Sequence, residues 1–176
     1  MNNMPRILVF TGDGKGKTTT ALGMVLRASG HGMRTRVVQF LKSDAGNGEI
    51  SLLCKLPGVV FSRRGLGFVP SRRNDPRFPA HQKAAQEALD LAREAIRDGH
   101  YDLLVMDESC GAIAAGLIDE QEVIALLKQA PEAMRIVLTG RDVPFGLIAL
   151  ADTVTEMRCI KHCMQQGRTA QKEFEY

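Results

Sequence analysis

The stretch Thr11 to Thr20, TGDGKGKTTT, decides the fold. A compact apolar run, RILVFT from Arg6 to Thr11, leads into it and reads as a strand buried on both faces. A helical pattern from Lys17 to Ser29 leads out of it, closed by Gly30 and Gly32. A strand, a glycine-rich turn and Gly16-Lys17-Thr18 opening a helix are the context a phosphate-binding loop requires. Gly12, Gly14 and Gly16 are expected to let the backbone wrap with its N–H groups pointing inward. The helix N-terminus adds orphan donors and a positive dipole end. Lys17 supplies a point charge for phosphate oxygens, and the Thr18 hydroxyl is placed to ligate Mg²⁺. Asp13 and Thr19 join the nucleotide-contacting set. The general pattern GxxxxGK[ST] needs glycine where Thr11 stands; the first glycine is displaced to Gly12, and Lys15 is an extra cation within the loop.

Outward from the loop, short β-rich runs alternate with helical ones. Strands are expected at Thr35 to Phe40, Val59 to Ser62, Asp102 to Met106, Ala133 to Thr139 and Thr153 to Met157. Helices are expected at Glu49 to Leu56, His81 to Asp98, Asp119 to Gln129 (with Asp119 at or near its N-cap) and Phe145 to Ala151. This alternation predicts an α/β, three-layer fold of the phosphate-loop NTPase kind, with a mostly parallel sheet and helices on both faces. Asp107-Glu108, at the end of a buried strand, is the natural second half of the site. A carboxylate there can hold Mg²⁺ opposite Thr18. Phosphoryl transfer and mechanical ATP hydrolysis share these parts, so a nucleotide kinase or RecA-like ATPase fits them as well as other ATP chemistry.

The chain has 176 residues, enough for one domain (1–176) with a continuous core and no staples. Aromatics are 5% with no Trp, so an aliphatic core is expected and a stacked-aromatic RNA surface is not. The net charge of +3 is too weak to name a nucleic-acid partner, and none is expected. The charge is unevenly placed: Ser62 to Ala80 holds Arg63, Arg64, Arg72, Arg73 and Arg77 against Asp75 alone. The glycines and prolines of that segment predict a long loop, 62–80, of functional character. The segment from 158 to 176 is a polar, weakly patterned tail. No apolar run approaches the ~20 residues of a membrane helix, and the N-terminus lacks a secretory pattern. With no CxxC pair among four cysteines, reduced thiols in a cytoplasmic protein are expected. Cys159, His162 and Cys163 supply only three ligands and are not expected to bind metal.

The sequence resembles the ATP:corrinoid adenosyltransferase family from Arg6 to Tyr176. The resemblance is carried by TGDGKGKTTTALG (Thr11 to Gly23), VVQFLK with GNGE (Val37 to Lys42, Gly46 to Glu49), LLVMDE with GLIDEQEVIALL (Leu103 to Glu108, Gly116 to Leu127), and VLTGRDVP, LADTVTEMRCIKH and the ending GRTAQKEFEY. The shifted glycine of the loop is the family's form. The resemblance implies a RecA-like fold with the strand ending in Thr139 between the first strand and the strand ending in Asp107. It implies that the Co(I) of a corrinoid, cobalamin or cob(I)yrinic acid a,c-diamide, attacks the 5′-carbon of ATP and releases triphosphate. Lys15 and Lys17 would then stabilise the leaving group, as catalytic residues with Glu108. Thr18, Asp107 and Glu108 would position Mg²⁺ or Mn²⁺. Arg141 is a further nucleotide contact, weighed against a surface ion pair.

In the family a Phe and a Trp of a GFTW segment wall off the lower face of the corrinoid. The matching segment here is GFVP, so Gly67 and Phe68 are the corrinoid residues and Pro70 stands in place of the Trp. That departure leaves room for a non-catalytic corrinoid or nucleotide carrier. Few residues precede the first strand, so the family's N-terminal arm over the site is not expected, and Glu173 stands where the family ending has glycine. A homodimer and a flavoprotein electron donor are implied by the resemblance alone.

Overall fold

The computed structural model describes residues 4–43, 48–162 and 167. Six described strands form one sheet: β1 (Arg6–Thr11), β2 (Thr35–Gln39), β3 (Val59–Arg63), β4 (Leu103–Asp107), β5 (Arg135–Thr139) and β6 (Thr153–Glu156), in the order β3-β2-β4-β5-β1-β6. Every pairing is parallel, so the sheet is parallel throughout rather than mostly so. Parallel neighbours need crossover connections, and six described helices lie between them: α1 (Lys17–Gly30), α2 (Gly48–Leu53), α3 (Phe78–Asp98), α4 (Ser109–Ala114), α5 (Glu120–Leu127) and α6 (Phe145–Leu150). As expected, β5 separates β1 from β4.

The strands alternate their side chains between two apolar layers. Val38, Leu104, Met106, Ile136 and Leu138 face α3, α4 and α5, packing on Leu89, Ala92, Cys110 and Val123. Val37, Leu103, Val105 and Val137 face α1, packing on Ala21, Leu22 and Val25. β4 is therefore buried along its whole length, which is why its sequence is a continuous apolar run.

Several boundaries differ from expectation for local reasons. α3 begins at Phe78 rather than His81, because Pro79 fits the first turn of a helix, where its missing N–H costs nothing. β3 reaches Arg63, so the loop of 62–80 is shortened to residues 64–77. α2 ends at Leu53, with turns rather than helix leading to Pro57-Gly58. The helix α4 was not expected from its small residues. Tertiary packing supports it: Cys110 and Ala112 are fully buried, and Ser109 Oγ donates to the Met106 carbonyl at 2.9 Å. Asp119 caps α5 as expected, its Oδ1 accepting from the amides of Gln121 (2.8 Å) and Glu122 (3.1 Å). Cys163 and the ending from 168 to 176, including Glu173, lie outside the described residues.

Candidate active site at the carboxyl ends of the strands

Ligands of open parallel sheets bind beyond the carboxyl ends of the strands, and the loop after β1 lies there. Gly16 takes a left-handed conformation (φ 109°) and opens α1 without a side-chain cap, leaving the helix's first N–H groups to a ligand. Lys17 folds back over the loop. Its Nζ donates to the carbonyls of Gly12 (2.5 Å) and Gly14 (2.8 Å). Burial pushes its pKa down, while the nearby charge of Glu108 pulls it up.

Two loop glycines have another task than the inward wrapping expected of them. The Gly14 N–H donates to the Met157 carbonyl at 2.6 Å, and the Met157 N–H donates to Thr11 at 2.8 Å. A Cβ at Gly12 or Gly14 would lie 2.5 or 2.7 Å from that Met157 oxygen. Both glycines therefore admit the chain leaving β6, which pairs beside β1 and packs against the loop from outside. This contact joins segments about 145 residues apart, which sequence spacing cannot show.

Asp107 is the hub of the site. It is fully buried and ends β4. Its Oδ1 accepts from the hydroxyls of Thr18 (2.9 Å) and Thr139 (2.6 Å), and its Oδ2 accepts from Gln39 Nε2 at 2.9 Å. Lys42 adds a cation, its Nζ 2.8 Å from Thr18 Oγ1 and 3.6 Å from Asp107 Oδ2. A buried carboxylate is costly unless such partners satisfy its oxygens. Thr18 and Asp107 thus meet as the sequence predicted. They offer hard oxygen donors of the type Mg²⁺ and Mn²⁺ take, with the Glu108 carboxylate adjacent.

Glu108 stands in a left-handed conformation (φ 63°), which turns the chain from β4 into α4. Its amide donates to Thr139 Oγ1 at 2.9 Å. Burial and then the Asp107 charge push its carboxyl pKa up, while Lys42, Lys17 and Arg141 pull it down less strongly. A carboxyl raised above its ordinary 4.5 is more protonated in the folded than in the unfolded chain. Its contribution is complete below the unfolded pKa and is lost as pH rises through the folded one. Glu108→Gln, with no charge to desolvate, should therefore melt at a higher temperature than wild type at pH 8. The gap should close toward pH 4. Melting curves in EDTA across that range check this, and a gap that widens on acidification would contradict it.

The remaining predicted residues divide into those at the loop and those apart from it. Arg141 forms an ion pair with Asp13 (3.6 Å) at the loop mouth, both side chains largely exposed, so the ion-pair alternative is present beside the site. Lys15 and Thr19 are exposed on the loop and the first turn of α1. Phe68 is fully exposed, and its ring is not packed into the core. Its segment is nevertheless pinned near the hub: the Gly67 amide donates to the Leu41 carbonyl at 2.8 Å, next to Lys42. The arginine cluster is partly neutralised within the chain. Arg77 pairs with Asp75, whose carboxyl that hydrogen bond holds down to about 2. Arg64 lies 3.9 Å from Glu87, and Arg63 Nε donates to Gln39 Oε1 at 3.0 Å.

Sequence reasoning assigned no role to Lys42, Gln39 or Thr139, and singled out Arg63 only as one arginine of the basic segment 62–80. Gln39 and Lys42 lie in the VVQFLK block, and a polar Gln ending an apolar strand was the available signal. Burial pushes the Cys110 pKa up to about 12, so this thiol is not a nucleophile of the site.

A parallel sheet with this loop and this hub defines a phosphate-loop nucleotide-binding protein of RecA-like fold. The family of ATP:corrinoid adenosyltransferases (BtuR/CobO/CobP) matches residues 3–176, and the chain belongs to that family. Similar curated relatives are named corrinoid adenosyltransferase. The one from Escherichia coli is 37% identical over 170 residues, covering 97% of this chain and 85% of its own length. That from Pseudomonas aeruginosa is 38% identical over 171 residues (97% and 83%), and that from Sinorhizobium 40% over 173 (97% and 79%). Among solved structures, the flagellar accessory protein FlaH from Methanocaldococcus jannaschii shares the fold, with a TM-score of 0.54 at 11% identity, covering 87% of this chain and 72% of that one. No helix among the described residues is long and apolar enough to cross a membrane.

Proposed function

We infer that this chain transfers the 5′-deoxyadenosyl group of ATP to the Co(I) of a corrinoid and releases triphosphate. The observation that carries the reading is the family match over residues 3–176, with the phosphate loop intact within it. In the step, the cobalt electron pair forms a bond to C5′ while the C5′–O bond breaks and its electrons leave with triphosphate. The chain's contribution is to hold a leaving group whose negative charge is spread along its length. Lys17 and Lys15 supply two cations to it, and the uncapped N–H groups of α1 supply dipoles already oriented. Thr18, Asp107 and Glu108 would hold Mg²⁺ or Mn²⁺, which when bound neutralises phosphate charge. The hydrogen bonds of Thr139 and Gln39 fix Asp107 before substrate arrives. Asp13, Gly12, Gly14, Gly16, Thr19 and Arg141 complete the nucleotide side.

On the corrinoid side, the full exposure of Phe68 supports its use as an apolar wall against a corrin face. Residues 62–80 serve as the corrinoid segment, within one domain spanning 1–176. A flavoprotein supplies the electron, and the enzyme works as a cytoplasmic homodimer. Phe68→Ala should lose about tenfold in rate when cobalt starts as Co(II), and much less from Co(I), since only the first needs the lower ligand displaced. Equal losses from both states would remove that role.

The reading is tested by incubating the protein with ATP, Mg²⁺ and chemically reduced corrinoid. Absorption then follows the cobalt–carbon bond, and the phosphate product is identified. Triphosphate is expected. ADP would mark a kinase or ATPase instead, and binding without product a carrier.

A further inference from the structure

Arg63, the last residue of β3, lies between the two halves of the site. One side of its guanidinium is committed: Nε donates to Gln39 Oε1 at 3.0 Å, and Gln39 Nε2 donates in turn to Asp107 Oδ2 at 2.9 Å. The guanidinium also lies over the Phe61 ring, 5.7 Å from its centroid. The other side is not committed. Nη2 is buried and has no hydrogen-bond partner among the described residues. A buried, charged N–H without an acceptor is costly to leave so, and it is relieved by any oxygen acceptor brought against it.

The chain that follows Arg63 is the segment carrying Phe68. It is held to the sheet at Leu41, two residues beyond Gln39, through the Gly67 amide. An unmatched donor at the root of that segment is wired to the hub carboxylate through Gln39 rather than spent in a core ion pair. The periphery of a corrin carries amide and carboxylate oxygens, and Arg is suited to both. We propose that Arg63 Nη2 binds a peripheral amide or carboxylate oxygen of the corrinoid, and that the Arg63–Gln39–Asp107 hydrogen bonds couple corrinoid occupancy to the metal-binding carboxylate.

The inference rests on the corrinoid reading above. It makes Arg63 a substrate-binding residue toward the corrinoid and a positioning residue toward Asp107. Gln39 is the pivot: with its carbonyl fixed by Arg63, its amide nitrogen must face Asp107. Because coupling between sites is reciprocal, a corrinoid that tightens this chain tightens cation binding at Asp107, and the cation tightens corrinoid binding.

The test uses hydroxocobalamin with ATP and Mn²⁺ and no reductant, so that nothing turns over. Equilibrium dialysis reads hydroxocobalamin affinity, and the resonance of free Mn²⁺ reads metal affinity. Arg63→Met should weaken hydroxocobalamin about tenfold, the size of one charge-assisted hydrogen bond, with a melting temperature near that of wild type. Arg63→Lys, which keeps a cationic donor, should recover part of the loss. In wild type, saturating hydroxocobalamin should tighten Mn²⁺ binding; in Arg63→Met it should not. Wild-type affinity in Arg63→Met, or a loss that Arg63→Lys shares in full, would overturn the recognition. Tightening of Mn²⁺ that persists in Arg63→Met would overturn the coupling. A wild-type protein that binds no hydroxocobalamin and adenosylates no reduced corrinoid would remove the function reading as well, whereas normal wild-type turnover with an indifferent Arg63 removes only this inference.

Discussion

Lys17→Ala is expected to lower adenosyl transfer by at least about 10³-fold and to leave the fold intact. Lys17 is buried over the loop, with its ammonium held by the carbonyls of Gly12 and Gly14. A cation held by carbonyl oxygens is preset for an anionic ligand and needs no reorganisation when charge develops on it. Truncation removes that charge where the leaving group forms. The structural cost is smaller. Gly12 lies near the surface, where water can take over its carbonyl, so a loss of about 1 kcal/mol and a few degrees of melting temperature is expected. Single-turnover assays with reduced corrinoid, scored by triphosphate, read the first effect; circular dichroism melting reads the second. A variant that retains a tenth of wild-type activity would show that the loop is not where triphosphate is held.

Gly65→Ala should be the most disruptive single methyl in the corrinoid-side segment. A Cβ there would fall 2.5 Å from Leu41 Cα and nearer still to the Leu41 carbonyl. Backbone cannot give way as a flexible side chain can, so the segment must lift from Leu41 and break the Gly67 to Leu41 hydrogen bond. The expected cost is about 2–3 kcal/mol of stability. The functional pattern is more specific: ATP binding should survive, since β1 and α1 build the loop at 11–18 while Gly65 lies in the segment after β3, and corrinoid affinity should fall more than tenfold. Thermal melting, fluorescent-nucleotide binding and hydroxocobalamin dialysis separate the three. Parallel loss of nucleotide and corrinoid binding would mean that Leu41 supports the whole site, and unchanged corrinoid binding would detach this segment from the substrate.

These two residues differ in how far the sequence reveals them. Lys17 is legible because every part of its task is local: β1, a glycine turn and the start of α1 are contiguous, and the motif names each atom's use. Asp107 and Glu108 were legible for a similar reason, as polar residues closing an unbroken apolar strand. Gly65 was visible only as a loop glycine. Its requirement for hydrogen comes from Leu41, which no local pattern ties to it. Gly12 and Gly14 show the converse: they were legible as glycines, but part of their use is to admit Met157.

The sequence by itself determined the alternating α/β architecture, the phosphate loop, the pairing of Thr18 with an acidic residue at the end of β4, and the family. Periodicity and contiguous motifs encode these, because the 2.0 and 3.6 repeats and the loop geometry act over a few residues. The tertiary structure alone decided which polar groups meet at Asp107. Gln39 comes from β2, Thr139 from β5, Thr18 from α1 and Lys42 from the segment after β2. A buried carboxylate must find its donors wherever the sheet order, β3-β2-β4-β5-β1-β6, brings strand ends together, and side chains from four separate segments meet there in a way that no stretch of chain read alone displays.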